Sequence, residues 1–302
     1  MVEEVVDVLR PVPPGLLVDA TVGAGGHATA LLDALPGHRL LGLDRDDQAL
    51  ELAAAALARF GDRAVLRQAN FDALAAAAAE IGEPVTGVLF DLGVSSMQLD
   101  RPERGFSYRA DGPLDMRADR RQPVTAADVV NGYPEDALAR VLSELGEERY
   151  ARRIARALVA ARPLTTTAQL ADVVKEAIPA PARRRGGHPA RRSFQAIRME
   201  VNRELPALPA ALDQAVDVLV PGGRCVVLAY HSGEDRVVKR RMADAVSGGC
   251  TCPPGLPCVC GAVPRARLLW RGSRRPSPAE VAANPRSESA RLRALEKVED
   301  AT

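Results

Sequence analysis

Short apolar runs, each closed by Gly, Pro or an acid, alternate with Ala/Leu-rich stretches of helical length along the first third of the chain. Four such runs predict strands, Leu16–Val22, Arg39–Asp44, Ala64–Phe71 and Val88–Asp91, and a fifth comes much later at Arg224–Tyr230. Each is mostly apolar on both faces, as in a parallel strand covered by helices on either side. Between the first four lie helical stretches at His27–Leu35, Asp47–Phe60 and Ala73–Ile81. The alternation gives βαβ units and hence an α/β fold with a parallel sheet.

The fifth strand follows the fourth by about 130 residues, too far for one crossover, so a separate unit is inserted between them. Helical signals there cover Thr125–Asn131, Pro134–Leu145, Glu147–Ala161 and Thr167–Ala177, with Thr125 and Thr167 as caps. The pattern predicts a discontinuous sheet domain at 1–100 and 200–302 around a mainly α-helical insert at 101–199. The Pro/Gly/Arg-rich stretch Pro179–Pro189 predicts a mobile loop. Beyond the fifth strand come a helix at Glu234–Ala245, a cysteine loop and a strand at Arg267–Arg271. Arg291–Val298 fits a strand or a helix.

Composition adds little to that outline. At 302 residues with 47% hydrophobic and 26% charged side chains, this is ordinary globular protein. No apolar run approaches the roughly 20 residues needed to span a membrane. The acidic start, Met1 to Asp7, lacks the features of a signal peptide, so a cytoplasmic protein is expected. Charge distribution says more. From Arg101 to Glu200 there are 19 Arg/Lys against 13 Asp/Glu, a surplus of six in a chain of net charge +1. A basic middle in an acidic frame suits a polyanionic partner.

Candidate chemistry sits where strands end, the rim at which open α/β sheets bind ligands. Asp19 closes the first strand and is followed by Gly23, Gly25 and Gly26, a turn that lets backbone approach a ligand closely. The spacing departs from a dinucleotide G-x-G-x-x-G, because His27 follows the glycine pair. Asp44 closes the second strand, where an acid can accept both ribose hydroxyls. Asp91 closes the fourth. With no evident pyrophosphate site, this set favours S-adenosylmethionine over a dinucleotide. Phe71 ends the third strand, either against adenine or in the core.

Longer motifs carry a specific resemblance. Asp91-Leu-Gly-Val-Ser-Ser-Met-Gln-Leu-Asp100, Arg104–Arg117, Gly146–Tyr150, Ser193–Arg198, His231–Arg236 and Asn284–Arg286 together resemble the ribosomal RNA small subunit methyltransferase H family. The resemblance covers nearly the whole chain. It implies a class I, Rossmann-like S-adenosylmethionine-dependent methyltransferase sheet, which an antiparallel hairpin near the C-terminus would close. It implies methylation of N4 of a decoding-centre cytosine in 16S rRNA of the small ribosomal subunit, and assigns cofactor contacts to Gly25, Gly26, His27, Asp44, Phe71, Asp91 and Gln98. Family members usually begin several residues earlier, with a His-x-Pro-Val-Leu segment, so the resemblance implies further residues before Met1. It also leads one to expect Leu where Gly233 stands. A homodimer is left open, and a membrane is not expected.

An aromatic amine is a poor nucleophile, and a carboxylate that accepts its N–H bond and then its proton assists transfer. Asp91, Asp115 and His231 are the candidates, with loop anchoring for Asp115 and strand capping for His231 as the alternatives. For RNA, Arg183, Arg184, Arg185, Arg191 and Arg192 form a basic run suited to phosphates, which reads otherwise as a solvated charge run. Tyr108 and Phe194 are candidates to stack on an unpaired base, or core residues. A target amine must be unpaired or flipped out before it can react.

Cys225 lies in an apolar run and reads as core. Cys250, Cys252, Cys258 and Cys260 form C-x-C-x5-C-x-C, which could hold zinc, remain as reduced thiols or pair by oxidation. Catalysis is expected to need no metal. Two rival readings remain: an RNA-binding assembly factor without turnover, which retention of Asp91, Gln98 and the glycine turn argues against, and a nucleotide-dependent oxidoreductase, which the altered glycine spacing argues against.

Overall fold

Residues 1–183, 187–253 and 259–299 are described by a computed structural model of the chain. Seven strands form one sheet: β1 (Leu16–Asp19), β2 (Arg39–Asp44), β3 (Ala64–Gln68), β4 (Val85–Asp91), β5 (Leu219–Ala229), β6 (Ala266–Leu268) and β7 (Arg291–Lys297). Their order is β3-β2-β1-β4-β5-β7-β6. Strands β1 to β5 run parallel, and β7 is antiparallel to both β5 and β6. This is the Rossmann-like sheet with a closing antiparallel hairpin that the sequence resemblance implies. Arg291–Lys297 is a strand, which resolves the ambiguity of that segment.

Alternation along each strand builds two cores. Leu16, Val18, Val88, Phe90, Cys225 and Val227 face one side, where Leu208, Leu212 and Val238 cover them. Leu17, Leu89, Val226 and Leu228 face the other, against Val5, Leu9, Leu31 and Leu32. Successive strand side chains point to opposite faces, so strands covered on both sides must be apolar throughout. Phe90 and Leu89 are fully withdrawn from water, each contributing about 1.5–3 kcal/mol. Cys225 is a core residue, 1% exposed.

The chain forms two compact units, Met1–Gly93 with Leu205–Thr302, and Val94–Glu204. The second is helical. Its core joins Leu138, Leu142, Ile154, Leu158, Leu170 and Ile197 among others. Thr125 caps the helix Ala126–Gly132 in a reciprocal box with Asp128. Thr166, rather than Thr167, caps Thr167–Ala177. Thr167 is instead buried, its hydroxyl donating to the Ala110 carbonyl and accepting from the Gly112 N–H. The helix predicted from Glu147 starts at Ala151, because Glu147 has φ 48, outside the helical range. No helix among the described residues is long and apolar enough to cross a membrane.

Candidate active site

The sheet order reverses at β1, whose neighbours β2 and β4 lie on opposite sides. Ligands in open α/β sheets bind at the carboxyl ends of strands at such a switch point. Here three adjacent strands, β2, β1 and β4, end in Asp44, Asp19 and Asp91.

The turn after β1 is fixed by two of these acids. Asp44 Oδ2 accepts from the Gly23 N–H at 2.9 Å, and its Oδ1 accepts from the Asp46 N–H at 2.9 Å. Gly25 N-caps the helix Gly26–Ala34 with φ 85, a left-handed conformation that side chains rarely adopt, and a Cβ there would lie 3.3 Å from Ala53 Cα. At Gly26 a Cβ would meet nothing, so this stretch of backbone is open to an incoming group.

Asp91 is tied on several sides. Its backbone N–H donates to Thr21 Oγ1 at 2.6 Å. Its Oδ1 accepts from the Tyr230 hydroxyl at 2.8 Å, and its Oδ2 lies 3.4 Å from His27 Nδ1. Burial pushes the carboxyl above the usual range, against the opposing influence of His27 and the Tyr230 bond. Burial likewise pushes His27 below its usual range, so its imidazole is neutral near pH 7. His27 Nε2 is buried and has no hydrogen-bond partner among the described residues. Asp44 is raised by burial, partly offset by its backbone bonds.

Asp19 is 1% exposed, and burial pushes its pKa up to about 8. Its ordinary value is 3.8, so the folded chain holds a proton there that the unfolded chain releases. Stability from this protonated carboxyl is full below pH 3.8 and is lost as pH rises through about 8. Asp19→Asn, which cannot ionise, should therefore gain melting temperature relative to the parent as pH rises across that interval. A Tm difference that does not change with pH would show Asp19 ionising normally.

After β5, His231 N-caps the helix Ser232–Ser247, its Nδ1 accepting from the Gly233 and Glu234 N–H groups at 3.2 and 3.3 Å. Glu234 is 3% exposed and reciprocates, accepting from the Tyr230 and His231 N–H groups. The Gly233 substitution leaves this cap intact. Thr21, Tyr230 and Glu234 were not legible as site residues. Sheet order brings Tyr230 to Asp91 across 139 residues, and no local pattern announces that.

Phe71 is 7% exposed, lies in a core cluster and meets Phe90 edge to face at 6.3 Å. It falls beyond β3 in a 3-10 turn rather than within the strand.

The remaining candidates lie in the second unit. Gln98 is buried and completes a capping box, its Oε1 accepting from the Ser95 N–H. Asp115 is gripped by Arg117, whose Nε and terminal nitrogen each donate at 2.8 Å, with a third bond from the Arg117 N–H at 3.0 Å. Burial raises this carboxyl, but the Arg117 bonds outweigh it and hold Asp115 below the usual range. Arg183 donates to Glu176 and to the Ile178 carbonyl. Arg191 and Arg192 are exposed on the first turn of the helix Arg191–Asn202. Arg184 and Arg185 lie outside the described residues. Phe194 is 3% exposed and belongs to the core, and Tyr108 stacks on His188 at 4.4 Å. Tyr108 lines a cleft of about 450 Å³ with Lys175, Arg183, His188 and Pro189, and Phe194 meets the Tyr108 ring edge to face at 5.7 Å.

The sequence profile described as the MraW methylase family matches residues 1–298. The ribosomal RNA small subunit methyltransferase H of Mycobacterium sp. (strain KMS) is 56% identical over 285 residues, covering 94% of this chain and 76% of that protein. The protein of the same name from Mycobacterium tuberculosis (strain ATCC 25618 / H37Rv) is 56% identical over 292 residues, covering 94% and 73%. A solved structure described as a putative rRNA-methylase from Clostridium thermocellum superimposes with a TM-score of 0.46 at 14% identity, covering 98% of this chain and 96% of that one.

Proposed function

Because this chain belongs to the MraW methylase family, we propose that it methylates N4 of a decoding-centre cytosine in 16S rRNA, with S-adenosylmethionine as methyl donor. The observation that carries this reading is the Asp91 carboxyl, held at the switch point by Thr21, Tyr230 and His27 with its pKa raised by burial.

The residues at the strand ends fit this cofactor. Each Asp44 oxygen uses one acceptor position on backbone and keeps another for a ribose hydroxyl. Gly25 and Gly26 leave backbone open beside it, and the orphaned His27 Nε2 awaits a partner. Asp44 and Asp91, close enough for each to raise the pKa of Asp19, place acceptor oxygens at the strand ends where a cationic ligand would bind. The bound cofactor supplies an electrophilic methyl group on a sulfonium.

Of the candidate proton acceptors, Asp91 is supported best, because it ends a strand at the switch point and burial raises its pKa. It would accept an N–H bond from N4 and then that proton as the methyl group passes from sulfur to N4, leaving S-adenosylhomocysteine, a protonated Asp91 and a neutral product amine. A raised pKa makes it a stronger base than an ordinary carboxylate. Asp115 is saturated by Arg117, and a depressed pKa suits it poorly to take a proton. His231 spends its Nδ1 lone pair on the helix cap. Both serve as anchors in this reading.

The helical unit 94–204 supplies RNA contacts. Arg191 and Arg192 begin a helix whose first turn holds no acid, so two positive charges face the positive end of its dipole. Phosphate relieves that conflict. Replacing both with Ala should lower affinity for a 16S fragment and reduce the slope of log K against log salt by about 1.4, at about 0.7 per contacted charge. An unaltered slope would remove this helix end from the RNA surface.

The direct test is transfer from labelled S-adenosylmethionine to undermethylated small subunits and to naked 16S rRNA, followed by nucleoside identification. N4-methylcytidine at the decoding centre is expected. Cofactor binding without transfer to either substrate would favour an assembly factor instead.

A further inference from the structure

The described cysteines after the helix Ser232–Ser247 are not held by burial. Val259 is 88% exposed, Cys260 is exposed, and Cys250 and Cys252 are only half-buried. Unligated cysteines usually behave as small buried hydrophobes. These instead converge at the surface: one sulfur from each of Cys250, Cys252 and Cys260 lies within 4.8 Å of the other two.

Backbone geometry creates that convergence. Gly248, with φ 63, closes the helix so near the returning chain that a Cβ would lie 2.3 Å from the Val263 carbonyl oxygen. The two arms of the loop are thereby held side by side, and Cys250 Sγ and Cys260 Sγ stand 3.6 Å apart. Tetrahedral thiolates about 2.3 Å from one zinc ion would stand about 3.8 Å from each other.

We propose that Cys250, Cys252 and Cys260 bind a structural zinc ion that pins the loop between the helix Ser232–Ser247 and strand β6. Binding converts three thiols to thiolates and releases three protons to solvent. Three thiolates leave one tetrahedral position for a further donor. Cys258 lies outside the described residues and forms no part of the argument. The ion would be structural, with no part in methyl transfer.

The test is zinc content of the full chain, reconstituted with zinc under reductant and passed through gel filtration, with cobalt substitution in parallel. About one zinc per chain is expected, and cobalt should give the sulfur-to-metal charge-transfer and visible bands of a tetrahedral thiolate site. Cys252→Ser and Cys250→Ser should each lose most of the metal, whereas Cys225→Ala, altered only in the core, should keep it. Zinc below about 0.1 per chain in the fully reduced parent would overturn the proposal. So would equal zinc in parent and loop variants, or a cobalt spectrum without thiolate bands. The cobalt spectrum of the parent decides the matter even if a variant fails to fold.

Discussion

Asp91→Asn is expected to lower kcat for methyl transfer by about 100- to 10,000-fold, the range spanned by general-base catalysis. Asn has the same shape and can still accept from the Tyr230 hydroxyl, which donates to Asp91 at 2.8 Å. It cannot take a proton. The loss should therefore appear in kcat, with the KM for RNA little changed, because Asp91 acts as the N–H bond weakens. The parent should be most active when Asp91 is ionised, so activity should fall as pH drops through its raised pKa. That acid limb should vanish in Asp91→Asn. Tyr230→Phe gives an independent check. The hydroxyl bond lowers the Asp91 pKa, so its removal should move the acid limb to higher pH while leaving the carboxylate in place. A kcat for Asp91→Asn within about tenfold of the parent, with the acid limb retained, would remove Asp91 from proton transfer.

How far the sequence reveals this arrangement depends on which interactions are local. Strands buried on both faces are apolar throughout, so β1, β2, β4 and β5 stand out without any knowledge of their neighbours. Their limits are less legible. Leu16–Val22 reads as one apolar run, but pairing ends at Asp19 where the turn toward Gly23 begins. The helix Glu204–Val218 escapes sequence reading because Pro209 lies inside it, and proline ordinarily interrupts a helix. Arg191–Asn202 escapes for another reason: its arginines read as a charge run, while Phe194 and Ile197 on the opposite face enter the core.

The site divides along the same line. Asp19, Asp44 and Asp91 are visible because each follows a strand directly. Their partners are not. Thr21 reaches the Asp91 N–H only because β1 and β4 are neighbours, and Tyr230 reaches its carboxylate only because β5 lies beside β4. The capping role of His231 depends on where a helix starts, and a histidine is not among the usual caps.

Asp44→Ala should weaken cofactor affinity by about 10- to 100-fold, the equivalent of losing a hydrogen bond to a charged acceptor at about 1.5–3 kcal/mol. Two routes lead to that loss. The carboxylate would accept from the ribose hydroxyls, and it also holds the Gly23 N–H and so shapes the turn beneath the ligand. Calorimetry with S-adenosylhomocysteine and its 2′,3′-dideoxy analogue separates them. In the parent, the analogue should bind more weakly because Asp44 loses its ribose partners. In Asp44→Ala the two ligands should bind nearly alike, since the acceptor is already gone. If both ligands are weakened equally in the variant and the gap between them persists, Asp44 acts through the turn alone. Unchanged affinity for S-adenosylhomocysteine in Asp44→Ala would sink the ribose assignment altogether. Coupling between the carboxylate and the hydroxyls is the result the geometry at the end of β2 leads us to expect, because each Asp44 oxygen accepts a single backbone N–H and so keeps an acceptor position for the ligand.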